Sequence, residues 1–185
     1  MNIKHRNYII ASGLILLAVL SARVFKLDMG QSFERRHRNT PVPIMMDKSA
    51  IRPDDGDTFF YKDLTIRILG IDAPEITHKE HGIYEDQACG REAAAMTIAL
   101  LRNASIIEYI PFENDRYGRL LAHVFVDKEL LSVHLIRAGL AYETVSYYGD
   151  NGFPELAGRI LKAARQSPKP AFGRPSTWRR RHQKK

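Results

Sequence analysis

Three charged clusters follow one another in the middle of this 185-residue chain. They are Asp55-Gly56-Asp57-Thr58, the run from Arg67 to Glu75, and Asp115-Arg116-Tyr117-Gly118-Arg119. The chemistry they could do is cleavage of a phosphodiester with the help of a metal ion. Asp57 and Asp72 are carboxylates at the ends of strand-like segments, and two such oxygens with a backbone carbonyl and waters make a typical shell for Ca²⁺. Glu75 lies three residues past Asp72 behind Pro74, placed to act as general base on a metal-bound water. Arg67 and Arg119 supply planar guanidiniums, which bind the equatorial oxygens of a phosphoryl group in its transition state.

Alone, each cluster has an ordinary structural explanation. Asp-Gly is a favoured turn dipeptide, and an arginine within a strand often marks a solvated face. Other chemistries find less support. His78, His81, His123 and His134 lack metal-ligand spacing as a set. Cys89 is the single cysteine, so no intramolecular disulfide is possible, and it reads as a small packed side chain rather than a nucleophile. No Gly-x-Ser-x-Gly elbow and no Gly-rich phosphate loop is present. Tyr147 and Tyr148 offer rings for stacking on a base, although surface packing explains them as well.

The elements that must position these residues follow from periodicity. Strands are expected over 43–51, 58–61 and 64–71, with Lys62-Asp63 as a tight turn. In the third, Leu64, Ile66 and Ile68 alternate with Thr65, Arg67 and Leu69. A helix is expected over 91–103, with Ala93, Met96, Leu100 and Leu101 on one face. Strands at 105–111 and 120–126 follow, then a short helix at 132–138 stopped by Gly139. A last helix begins at Pro154, burying Leu156, Ile160, Leu161 and Ala164. The fold class is α+β, mainly β. A five-stranded barrel with about three packed helices accommodates this order, preceded by an N-terminal hydrophobic helix.

Charge divides the chain into the same parts. The formal net charge of +7 belongs to the ends: residues 1–40 are net +5, 165–185 net +8, and 41–164 net −6. The pI therefore says nothing of the central domain's affinity for polyanions. Lys4 and Arg6 precede an uncharged apolar run over 8–22. Residues 1–25 read as a signal peptide or transmembrane anchor. The anchor is favoured, because cleavage after Ala22 would put Leu20 at a position that prefers a small residue. The expected location is membrane-anchored or secreted/periplasmic, with orientation open because bases flank both ends of the run. Residues 26–42 read as a basic linker, 43–165 as the domain, and 166–185 as a basic disordered tail able to hold nucleic acid or anionic lipid.

Five sequence words in order resemble the thermonuclease family, the staphylococcal nuclease-like domains. They are Asp55-Gly56-Asp57-Thr58; Arg67 with Gly70-Ile71-Asp72-Ala73-Pro74-Glu75; Gly90-Arg91-Glu92-Ala93; the cluster 115–119; and Ala138-Gly139-Leu140-Ala141. The resemblance runs from Asp55 to Tyr142 and weakly on to Trp178. It implies an OB-fold barrel and a monomeric Ca²⁺-dependent nuclease acting on DNA and/or RNA to leave 3′-phosphate products. Carried over by position, it makes Asp57, Asp72 and the Ala73 carbonyl metal ligands, and Arg67, Glu75 and Arg119 the catalytic trio. Arg116 and Tyr117 fall where the family contacts a terminal phosphate, and Tyr147 is the best match to its base-stacking aromatics. Ala73 replaces a threonine of the secreted prototype, which matters little where the backbone carbonyl is the ligand. The competing expectation is a catalytically silent OB-fold module that binds nucleic acid or protein at a membrane.

Overall fold

Ile66 and Ile68 point into the core from one face of a strand, while Arg67 leaves the other face toward two carboxylates. The sheet is assembled around that strand. The computed structural model describes residues 41–183. Its strands are β1 (Ile44–Met45), β2 (Ile51–Pro53), β3 (Thr58–Tyr61), β4 (Leu64–Ile68), β5 (Ile71–Asp72), β6 (Ile107–Asn114), β7 (Leu120–Val126), β8 (Glu129–Leu130) and β9 (Tyr142–Glu143). Its α-helices are α1 (Gly90–Asn103), α2 (Leu131–Arg137), α3 (Val145–Tyr148), α4 (Pro154–Gln166) and α5 (Pro175–His182).

The main sheet has seven strands in the order β1-β6-β7-β4-β3-β2, with β8 on β7. It is mixed, because β4 and β7 run parallel while the other pairs are antiparallel. A register shift between Pro111 and Asn114 bends β6 as it pairs with β7. The sheet curls into a half-barrel, with no ladder joining β1 to β2 among the described residues. Where a five-stranded barrel is expected, the described residues form a curled seven-stranded sheet beside a two-stranded ribbon, β5-β9, an arrangement consistent with an OB-like fold.

Two strand boundaries explain the difference. The segment 64–71 is not one strand: it turns at Leu69-Gly70, where Gly70 takes φ +83 and its carbonyl accepts the Thr144 N–H at 3.0 Å. Asp72 therefore leaves the main sheet and pairs with Tyr142 in the ribbon. Residues 43–51 likewise break at a 3₁₀ turn, Lys48–Ala50, which the Asp47 carboxylate caps through the Ser49 N–H at 2.9 Å. The Lys62-Asp63 turn stands as expected between β3 and β4.

The core lies between the curled sheet and α1, α2 and α4. Phe59, Ile66, Ile68, Val124, Leu130, Leu131, Leu135 and Ile160 are fully enclosed there. Helix α2 is buried along most of its length, and beyond it Gly139 and Leu140 donate back to the Ile136 and Leu135 carbonyls as a helix stop. Helix α4 starts at Pro154 and buries Ala157, Ile160 and Ala163. Five α-helices stand where about three were expected. One of the additional ones, α5, lies in the segment read as a disordered tail. The tail holds a place because it carries an apolar anchor, the buried Phe172, ahead of a helix begun by Pro175.

No helix among the described residues is long and apolar enough to cross a membrane. The apolar run over 8–22, on which the anchor or signal reading rests, lies outside them.

Candidate active site

Asp57 follows a turn that its neighbours build. The Asp55 carboxylate accepts the N–H groups of Asp57 and Thr58 at 2.9 and 2.7 Å, fixing the loop into β3. From below, Thr97 of α1 donates its hydroxyl to the Gly56 carbonyl at 2.7 Å. The Asp57 carbonyl accepts the Ile68 N–H at 2.8 Å, which locks the loop to the end of β4. The Asp57 side chain is 1% exposed. Its Oδ2 accepts the Ala73 N–H at 2.6 Å, and its Oδ1 meets Arg67 Nη1.

Arg67 joins two carboxylates, since its Nη2 also donates to Asp72 Oδ1 at 2.9 Å. Two acidic side chains from separate elements thus lie within the span of one guanidinium. Burial pushes the Asp57 carboxyl well above the ordinary carboxylate range, while Arg67 pulls the other way. Burial also works against the Arg67 charge, but Asp57 and then Asp72 overcome it and raise its pKa.

Glu75 stands beside this pair, buried and clamped by its main chain. Its N–H donates to Gln87 Oε1 at 3.3 Å, and its carbonyl accepts the Gln87 N–H at 2.9 Å. Burial raises the Glu75 carboxyl, and the lowering effect that follows comes from a residue absent from the sequence reading, Arg179. Arg179 Nη1 donates to Glu75 Oε1 and, at 3.2 Å, to Asp72 Oδ1. Its Nη2 lies 3.3 Å from each Asp72 carboxylate oxygen. Arg179 comes from α5, and periodicity cannot distinguish it from the flanking Arg180 and Arg181. The local signal was Phe172 and Trp178, two large apolar side chains in an otherwise polar tail.

Residues 115–119 form a second group at the turn between β6 and β7. Arg119 Nε and Nη2 both reach Asp115 Oδ2 at 2.8 Å, and its guanidinium lies 5.4 Å from the Tyr117 ring centre. Arg116 also lies over the exposed Tyr117 ring, at 4.7 Å from its centre. No hydrogen bond or ion pair among the described residues joins this group to Asp57, Asp72 or Glu75. The parallel β4-β7 register pairs Arg67 with Leu121, two residues beyond Arg119, so Arg119 ends the turn that leads into the strand beside Arg67. Tyr147 is 83% exposed on α3 and touches Tyr148 edge to face.

A further cluster adjoins the loop: Asp54, Asp55 and His78 place one ligand atom each within 4.8 Å of one another. His78 Nε2 lies 3.0 Å from Asp54 Oδ1. The buried His123 stands in β7 with neither ring nitrogen hydrogen-bonded. Cys89 caps α1 with a left-handed backbone, half-buried.

Asp57 and Asp72, which share the Arg67 guanidinium, offer carboxylate oxygens of the kind a hard cation takes. Comparison with known proteins gives the family. A family profile described as "Staphylococcal nuclease homologue" matches residues 65–169, more than half of the chain. The chain belongs to the staphylococcal nuclease homologue family. Within it, the thermonuclease of Staphylococcus hyicus is 35% identical over 124 residues, covering 64% of this chain and 69% of that protein. The thermonuclease of Staphylococcus intermedius is 29% identical over 139 residues, covering 71% and 79%. A protein of Phaeosphaeria nodorum named "Probable endonuclease LCL3" is 36% identical over 89 residues, covering 45% of this chain and 29% of its own length. The region matched by the family profile takes in Arg67, Asp72, Glu75, Arg119 and Tyr147, and leaves Asp57 before it and Arg179 beyond it.

Proposed function

We propose that this nuclease hydrolyses phosphodiester bonds of DNA and/or RNA with Ca²⁺ as its metal, leaving 3′-phosphate products. One observation carries the reading: Asp57 and Asp72 converge on one guanidinium of Arg67, with Glu75 buried beside them. Asp57, Asp72 and the Ala73 carbonyl would hold the cation. When bound, it would offset the charge gathering on the phosphoryl oxygens.

The chain's own residues do the rest. Glu75 takes a proton from the attacking water, and the Gln87 clamp on its main chain keeps the carboxylate aimed. Arg67 has its guanidinium at the carboxylate pair and donates to the phosphoryl oxygens as charge builds on them. Arg119, oriented by Asp115, reaches the same phosphate from the turn ahead of the neighbouring strand. Arg116 and Tyr117 lie at the rim of that turn, suited to an adjoining phosphate, and Tyr147 offers an exposed ring for a base. The apolar run over 8–22 anchors the chain in a membrane or directs its export.

The test is cleavage of single- and double-stranded DNA and of RNA by the full chain with Ca²⁺, with chelator, and after Glu75→Gln. Loss of a general base should lower kcat by roughly 10²–10⁴-fold. Arg67→Gln and Arg119→Gln should each cost about 10²–10³-fold, the scale of one lost transition-state donor. Full cleavage in chelator would overturn the metal reading, and wild-type turnover by Glu75→Gln would remove Glu75 from its role.

A further inference from the structure

Arg179 bonds both Asp72 and Glu75 through its guanidinium. We propose that α5 is an autoinhibitory latch, in which Arg179 holds as an intramolecular cation the carboxylates that the dication and the reaction need. The proposal rests on the cation-binding reading of Asp57 and Asp72 given above.

The contacts define the docked state. Arg179 engages both oxygens of Asp72 and one of Glu75. A dication sharing Asp72 would compete for the same lone pairs and be repelled by the guanidinium at contact distance. Glu75, while it accepts a hydrogen bond from Arg179, has that oxygen committed and is a poorer proton acceptor. Arg67 is different in kind, because it is fixed in β4 at the wall of the site and does not depend on the tail.

The tail is built to pivot rather than to detach. Its base is held firmly: Phe172 is buried edge-on against Tyr142, whose hydroxyl donates to the Phe172 carbonyl at 2.6 Å. The Gln87 side chain donates to the Gly173 carbonyl at 2.5 Å. Gly173 has open space around it, and α5 begins two residues later. Beyond that point most of the holds are polar. Within α5 only Pro175 is buried, Arg180 and Arg181 are exposed, and Gln183 donates to the His81 carbonyl at 2.8 Å. An element with a rigid base and few apolar contacts along its length is one that opens locally. When it opens, Arg179 joins the already exposed Arg180 and Arg181 in reach of a polyanion, so cation and substrate phosphates pull the equilibrium in the same direction.

If the docked form holds 90–99% of molecules, the apparent Kd for Ca²⁺ is raised about 10–100-fold over that of the open form. Trp178 is the only tryptophan in the chain and stacks on His182 at 4.4 Å between ring centres, one residue from the latch. The experiment is a calorimetric Ca²⁺ titration of the full chain, of Arg179→Gln and of Arg181→Gln, with Trp178 fluorescence followed in the wild type. Arg181→Gln removes the same charge from an exposed position of the same helix. The expected result is Ca²⁺ binding about ten-fold or more tighter in Arg179→Gln, little change in Arg181→Gln, and a shift of Trp178 emission as the wild type saturates. Equal or weaker Ca²⁺ binding by Arg179→Gln overturns the latch and leaves the metal site standing. Trp178 emission that does not move at saturation overturns the release of α5. Absence of Ca²⁺ binding by all three proteins overturns the latch together with the cation reading on which it rests.

Discussion

Gly90 shows how closely single residues control Glu75. A β-carbon added there would sit far inside contact distance of the Glu75 carbonyl oxygen, a backbone atom that cannot rotate away. Gly90→Ala must therefore move either the start of α1 or the loop that carries the base. We expect a loss of about 1–3 kcal/mol in urea unfolding, the usual scale of overpacking, with a fall in kcat because Glu75 shifts. Gly118 is a useful contrast. Unlike Gly90 it takes a positive φ, of 80°, but a β-carbon there meets nothing within 4 Å. Gly118→Ala should cost only about 1–2 kcal/mol of backbone strain, with little change in the position of Glu75. Equal effects of the two substitutions on kcat would show that steric contact with Glu75 is not what Gly90 avoids.

Among the elements, alternation and caps were readable where local sequence decides and misleading where a distant partner does. The inward face of β4, the Lys62-Asp63 turn, the Gly139 helix stop and the start of α4 at Pro154 follow from residues within a few positions of each other. The break at Leu69-Gly70 does not, because it is completed by Thr144, more than seventy residues away. The place of α5 was hidden for the same reason: its holds come from Gln87, Tyr142 and His81. Helix α1 lies between these cases. Its apolar face was legible, yet Thr97, fully buried, binds the Gly56 carbonyl and so supports the Asp57 loop. Thr97→Val keeps the shape and leaves that carbonyl without its partner. An unfolding loss of about 1–3 kcal/mol is expected, together with weaker Ca²⁺ binding, and Thr97→Ser should restore most of both. Unchanged stability in Thr97→Val would mean that α1 does not hold the loop through this bond.

For the molecule as a whole, the acidic balance of residues 41–164 makes local groups rather than net charge responsible for any grip on a phosphate. Its stability has a separate charge story, centred on His123 in β7. The ring is buried, meets Phe153 edge-on at 5.0 Å between centres, and has no hydrogen-bond partner on either nitrogen. Burial pulls its pKa down from 6.5 to about 4. The unfolded chain therefore binds a proton at His123 between those values while the folded chain does not. Stability from this group is complete above pH 6.5, falls as pH drops, and levels off below about 4, a total of about 3 kcal/mol at 1.36 kcal/mol per unit. Asp57 and Glu75, whose pKa values are raised by burial, bend the curve the opposite way, so the wild-type profile alone cannot isolate the histidine. His123→Phe can, because it fills the same apolar space and does not titrate there. The stability of the variant relative to wild type, measured by urea unfolding at pH 7.5 and pH 4.5, should rise by about 2–3 kcal/mol toward the lower pH. A difference that stays constant between the two pH values would mean that His123 is protonated as readily inside the fold as outside it.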